Sequence, residues 1–181
     1  LARGLPSELV VHVLGELAEE PVKPIALSAL KGALAASSEI PVSYVNAPLL
    51  AEARGVSVIE ESQLDVEDYQ SVVRISGVVA GRARTVAGTY MARKGAVLVG
   101  LEGYQIEVPL TDHMLLIRNE DIPGCIGRVG TYLGDIGNNI ADMVVGRSPD
   151  GTAAMMGIAC DAGVTADQLA GLLDLEGIAA A

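Results

Sequence analysis

The chain opens on an alternation. Leu9, Val11 and Val13 fall on one side and Val10, His12 and Leu14 on the other, the period of a β-strand. Ile25, Leu27, Leu30 and Leu34, set among alanines, then repeat at helical spacing and predict a helix lying on a sheet. Asn46-Ala47-Pro48 offers an N-cap followed by a first-turn proline, and Gly55 a stop, so a second helix is expected over 47–54. β-type runs follow at Val56–Glu60, Val72–Val79, Arg84–Met91, Ala96–Leu101 and Tyr104–Val108, with hairpin turns expected at Ala80-Gly81 and Glu102-Gly103. Glu60, Glu61, Asp65, Glu67 and Asp68 read as a solvated acidic loop.

A change of pattern near Thr111-Asp112 divides the chain into residues 1–110 and 111–181. Met114–Arg118 is an apolar strand. Asp121 is placed to cap a helix with Pro123 in its first turn, its buried stripe Ile126, Val129, Leu133 and Ile136, and its stop Gly137. Two strands, Ile140–Gly146 and Ala153–Cys160, flank a Ser148-Pro149-Asp150-Gly151 turn. Thr165-Ala166-Asp167-Gln168 is a capping box, with Val164 and Leu169 placed as a hydrophobic staple. Leu169, Leu172 and Leu173 supply the buried face of that helix, and Gly177–Ala181 starts a last strand. The fold class expected is α+β in two domains: an antiparallel-sheet domain with early helices, then a βαββαβ ferredoxin-like domain with both helices on one face.

Composition narrows the function classes. With 181 residues, half of them hydrophobic, the chain can bury one good core or two small ones. A net charge of -11 argues against nucleic acid or an anionic membrane as partner, since both reward basic surfaces. Without Trp or Phe the core must be aliphatic, and base-stacking platforms are not expected. Two cysteines, Cys125 and Cys160, make no disulfide framework and fit a reducing, cytoplasmic compartment. No apolar run approaches the roughly 20 residues of a membrane span, and no signal-peptide pattern opens the chain. It begins at Leu1 rather than Met, so a piece of a longer protein is expected.

The candidate chemistry sits in the turn Arg118-Asn119-Glu120-Asp121-Ile122-Pro123-Gly124. A helix N-terminus welcomes an anionic group, and Gly124 permits close approach to the backbone. Asp121 can accept an ammonium, while Asn119 and Asn139 can each donate and accept. A zwitterionic amino acid needs both kinds of partner. The plainer reading is that Asp121 only caps, Gly124 only packs, and Asn138-Asn139 only turn the chain.

The run Asn119-Glu120-Asp121-Ile122-Pro123-Gly124, a helix, then Gly137-Asn138-Asn139-Ile140 resembles the ACT domain family of amino-acid sensors over residues 113–181. The resemblance implies that two copies pair and hold an effector, L-serine or a similar amino acid, between them. Asn119, Asp121, Ile122, Pro123 and Gly124 would come from one copy, and Asn138, Asn139 and Ile140 from the other. Leu27-Ser28-Ala29-Leu30-Lys31-Gly32, Tyr44-Val45-Asn46-Ala47-Pro48 and Ala53-Arg54-Gly55-Val56 resemble the intervening domain of long-form bacterial D-3-phosphoglycerate dehydrogenases. That resemblance implies a parent oxidising 3-phosphoglycerate with NAD in serine biosynthesis. Its nucleotide-binding and substrate domains would lie before Leu1, leaving this fragment non-catalytic, without cofactor or metal, and homo-oligomeric. Iron–sulfur serine dehydratases carry a related pair of modules and are the nearest alternative parent; a purely structural oligomerisation module is the other.

Arg74, Arg82, Arg84, Arg93 and Lys94 lie in a stretch without acidic residues and form a second candidate, an anion site, because guanidinium groups present paired donors. Solubilising edge-strand charges are the alternative. Gly124-Cys125-Ile126-Gly127-Arg128-Val129-Gly130 mimics a dinucleotide fingerprint, but its glycines are spaced three and three rather than two and three. Gly127 and Gly130 are expected to allow close packing instead. Cys125 stands at a helix N-terminus, where only His113 could reach it in space as a base, and two Cys with two His lack zinc spacing.

Overall fold

A computed structural model of the protein describes residues 4–148 and 150–181. It is an α+β structure, and contacts divide it into two compact units, Tyr90 closing the first and Met91 opening the second.

The first unit is built around β1 (Glu8–Gly15), whose inward positions Leu9, Val11 and Val13 are buried. β1 lies between β2 (Ser57–Gln63) and β3 (Ser71–Val79), with β4 (Arg82–Met91) beyond β3. The helices α1 (Lys23–Ala35) and α2 (Ala47–Ala53) supply Ala26, Leu30, Leu34, Ala47 and Ala51 to one core with Leu9, Val11 and Val56. Two details differ from the sequence expectation. β2 runs parallel to β1, because the two helices carry the chain back across the sheet before it re-enters, and this strand takes Glu60 and Glu61 out of the acidic loop. Asn46 does not cap α2; its Oδ1 accepts from the Ser43 amide (2.7 Å), holding the preceding turn instead.

The second unit carries the antiparallel hairpin β5 (Gly95–Leu101) and β6 (Tyr104–Pro109), whose turn has Glu102 and Gly103 both at positive φ, as tight hairpin turns require. Then come β7 (Met114–Glu120), α3 (Cys125–Asp135), β8 (Ile140–Arg147), β9 (Ala153–Cys160), α4 (Ala166–Leu173) and β10 (Ile178–Ala180). The four strands form an antiparallel sheet in the order β10-β7-β9-β8, the split βαββαβ arrangement. Leu115, Ile117, Met156 and Ile158 point from one face into a core closed by Cys125, Val129 and Leu133 of α3 and Leu172 of α4. The opposite face receives β6. There Gly157 is bare because a Cβ would lie 2.9 Å from Val108 Cγ1.

The helical stripes form as expected through Val129 and Leu133 of α3, with Ile136 just after it, and through Leu169 and Leu172 of α4, and differ at one position in each. Cys125 takes the inward place and Ile126 is 51% exposed; likewise Leu172 is buried and Leu173 is 42% exposed. A Cβ at Gly127 or Gly130 would meet nothing of this chain within 4 Å, so neither glycine is needed for packing against the sheet. The Tyr132 hydroxyl instead joins the helices, donating to the Gln168 carbonyl at 2.6 Å. Pro149 of the expected turn lies outside the described residues.

The capping box forms as expected: Thr165 Oγ1 accepts from the Gln168 amide (3.3 Å) and Gln168 Oε1 from the Thr165 amide (2.9 Å). Thr165→Ala removes one partner of that pair and is expected to lower stability by about 1 kcal/mol, read as a shift of the urea midpoint.

Candidate functional site

The turn after β7 is pinned from both sides. The Glu120 amide donates to the Gly177 carbonyl (2.8 Å), and the Asp121 amide donates to the Thr152 carbonyl (3.2 Å). Gly124 then takes φ 85°, a left-handed conformation that favours glycine, and becomes the residue from which α3 starts. Asp121 is therefore four positions before the first helical residue, too far back to cap it, and Pro123 precedes the helix. The carboxylate is used elsewhere: Asp121 Oδ2 meets Arg147 Nε at 3.0 Å, at the end of β8. Ile122, Pro123 and Gly124 form the exposed outer edge of the turn.

Asn119 is the buried member, 3% exposed, on the helix-covered face that also carries Leu115 and Ile117. Its Nδ2 donates to the Glu120 carbonyl (2.6 Å), while its Oδ1 has no hydrogen-bond partner among the described residues. A buried acceptor left unpaired is costly, so such an atom marks a place where a donor fits.

The Asn-Asn pair lies at the other end of α3. Gly137, at φ 75°, ends the helix. Asn138 is buried and spent on structure: its Nδ2 donates to the Ala162 carbonyl (2.9 Å) and its Oδ1 accepts from the Ala162 amide (3.2 Å). Asn139 is exposed and donates to Asp161 Oδ2 (3.1 Å), and Ile140 packs against the core at the start of β8. α3 has 11 residues, about 16 Å at 1.5 Å per residue, so one chain does not bring Asn139 to Asn119 and Asp121.

Comparison with known proteins adds to this geometry. The family model described as the D-3-phosphoglycerate dehydrogenase intervening domain matches residues 5–102, more than half of the chain. The chain belongs to this family. It is 35% identical over 172 residues to the D-3-phosphoglycerate dehydrogenase of Mycobacterium leprae, covering 92% of this chain and 32% of that protein. Against the enzyme of Synechocystis it is 32% identical over 162 residues, covering 89% and 29%, and against that of Bacillus subtilis 31% over 154 residues, covering 85% and 29%. The chain thus spans about a third of the length of these relatives.

Within the segment matched to the intervening-domain family, the arginines do not all gather. In the β3–β4 register Gly77 faces Arg84 and Val79 faces Arg82, while Arg74 faces Ala87. Directly opposed residues share a face, so Arg82 and Arg84 stand on one side of the sheet and Arg74 on the other. Arg74 lies instead in a row with His12, which meets Glu61 at 3.8 Å. Arg93 and Lys94 belong to the second unit.

The remaining signals carry no catalytic geometry. Gly127 and Gly130 sit inside α3 rather than in a strand-to-helix turn, so these residues do not fit a dinucleotide. Cys125 is 2% exposed and packed in the core. It follows β7 and His113 precedes it, so a strand of 7 residues separates them. The His113 carbonyl accepts from the Cys160 amide instead, and burial pushes the Cys160 thiol up, with Asp161 adding to the effect. Among the described residues no group of His, Cys, Asp and Glu is placed to hold a metal, and no helix is long and apolar enough to cross a membrane.

The residue that sequence reasoning missed is Arg147. Its signal is its register: Met143, Val145 and Arg147 alternate onto one face of β8, so a basic group continues an apolar row toward the Asp121 turn.

Proposed function

We propose that this chain is the regulatory region of a D-3-phosphoglycerate dehydrogenase, and that it binds an amino-acid effector, L-serine first, between two paired copies of residues 111–181. Residues 1–110 act as the intervening domain and 111–181 as the ACT domain. The parent oxidises 3-phosphoglycerate with NAD in the cytoplasm, using nucleotide-binding and substrate domains outside this chain. The observation that carries the reading is the Asp121 turn. It carries the Asp121 carboxylate and, two residues earlier, the buried Asn119 amide oxygen that has no hydrogen-bond partner among the described residues, both suited to an ammonium. Asn139, about 16 Å away along α3, becomes available to that turn only from a second copy. Two copies related by a twofold axis would place the Asn139 of each near the turn of the other, making the site self-complementary. The effector then acts by its different affinity for two arrangements of the parent.

Titration calorimetry with L-serine tests this, with glycine and D-serine as controls. Saturable heat with L-serine, lost in Asn139→Ala while sedimentation still shows a dimer, is the expected result. No heat at millimolar L-serine would leave an oligomerisation module and overturn the effector reading.

A further inference from the structure

Three β-strands place a row of residues beneath the Asp121 turn. Asn119 on β7 and Arg147 on β8 are both directly opposite Ala154 on β9, so all three project from the helix-covered face. The side strands flank β9 at roughly 4.8 Å each, which puts Asn119 and Arg147 about 10 Å apart across a residue with only a methyl group. Asn119 and Ala154 are 3% and 1% exposed, so the row is open only at its Arg147 end, and there the turn sits beside it, the Asp121 amide held by the Thr152 carbonyl just before β9. The row and the turn beside it carry three polar groups of different kinds. Asn119 offers an unpaired acceptor from a side chain that is 3% exposed. Asp121 offers a carboxylate. Arg147 offers a guanidinium whose Nε faces Asp121 and whose side chain is 73% exposed.

We infer that Arg147 is the carboxylate anchor of this site and makes it selective for an α-amino acid over an amine. The inference rests on the amino-acid reading of the turn. Without a ligand, Asp121 and Arg147 neutralise each other. A zwitterion entering between them exchanges one ion pair for two: its ammonium goes to Asp121 and Asn119 Oδ1, and its carboxylate to the fork of Arg147. No charge is left unpaired at any stage, which matters beside a buried surface. The planar fork suits a carboxylate bidentately, which an ammonium side chain does not. An amine lacking the carboxylate must break the Asp121–Arg147 pair without supplying Arg147 a new partner.

The test compares L-serine with L-serinamide, which keeps the ammonium and hydroxyl but carries no carboxylate, on the wild-type chain and on Arg147→Gln. L-Serine is expected to bind the wild type about 10- to 100-fold more tightly than L-serinamide, the range of one charge-assisted interaction. Arg147→Gln should remove most of that advantage from both sides: L-serine loses its carboxylate partner and binds more weakly, while L-serinamide no longer has an Asp121–Arg147 pair to break and binds at least as tightly as before. Arg147→Lys, which keeps the charge and loses the fork, should recover part of it. L-Serine binding undiminished in Arg147→Gln, or a loss equal for both ligands, overturns the role of Arg147 while leaving the effector reading in place. Absence of L-serine heat in the wild type overturns both.

Discussion

Gly146→Val is expected to cost about 3 kcal/mol or more of stability. Gly146 lies on the face of the β7–β10 sheet that receives β6, where a Cβ built on its backbone would collide with the Gln105 carbonyl oxygen and lie 2.8 Å from Ile106 Cγ2. The first obstacle is backbone, held in the β5–β6 hairpin, so no side-chain rotation relieves it. Overpacking of a fitted core typically costs 1–3 kcal/mol, and a β-branched side chain against a carbonyl belongs at the upper end of that range or beyond. Gly134→Ala supplies the contrast. A Cβ there meets nothing within 4 Å, and alanine in a helix interior is favoured over glycine by roughly 0.5–1 kcal/mol. Denaturant unfolding of the two variants beside the wild type should therefore move the midpoints in opposite directions. A Gly146→Val midpoint equal to that of the wild type would mean that β6 does not lie against β8.

The architecture is legible wherever the deciding interactions are local. The alternation of Leu9, Val11 and Val13 and the Thr165–Gln168 box each carry their own geometry, and both appear as expected. The errors fall where a distant part of the chain decides. Asp121-Ile122-Pro123 and Gly124 are both acceptable ways to begin a helix. The choice went to Gly124 once the Thr152 and Gly177 carbonyls had fixed the backbone on either side of Asp121. Ile126 lies three residues and Cys125 four residues before Val129, so helical periodicity admits either at the start of the Val129–Leu133 stripe; packing against the sheet selected the cysteine. That β2 runs parallel to β1 is a matter of which strand it meets after two helices, and local pattern is silent on that.

The candidate site follows the same division. Asn119, Asp121 and Gly124 are neighbours in sequence, whereas Arg147 comes beside them only through strand register. Arg147 joins Asn119 only through their common partner Ala154, and the three positions are spread over three strands. Single-residue reasoning also gave Asn138 and Asn139 one joint role, and the structure separates them by burial and by partner.

That separation gives the second large effect. Asn138→Ala is expected to destabilise the chain by about 2–3 kcal/mol, whereas Asn139→Ala should stay within about 0.5 kcal/mol of the wild type. Asn138 is 7% exposed, and its amide group pairs with both the N–H and the C=O of Ala162, as a neighbouring strand would. Alanine leaves both backbone groups without that partner beside the core, and an unmet buried group costs more than an average hydrogen bond contributes. Asn139 makes its side-chain bond to Asp161 at the surface, where water replaces it. Binding should reverse the order: Asn139→Ala removes L-serine heat from a chain that still melts normally. Asn138→Ala should keep its L-serine affinity at a temperature where it remains folded. Unfolding midpoints and calorimetry on the same two proteins separate the roles. An Asn138→Ala chain as stable as the wild type would remove Asn138 from the framework of the fold, and undiminished L-serine heat in Asn139→Ala would remove Asn139 from the site.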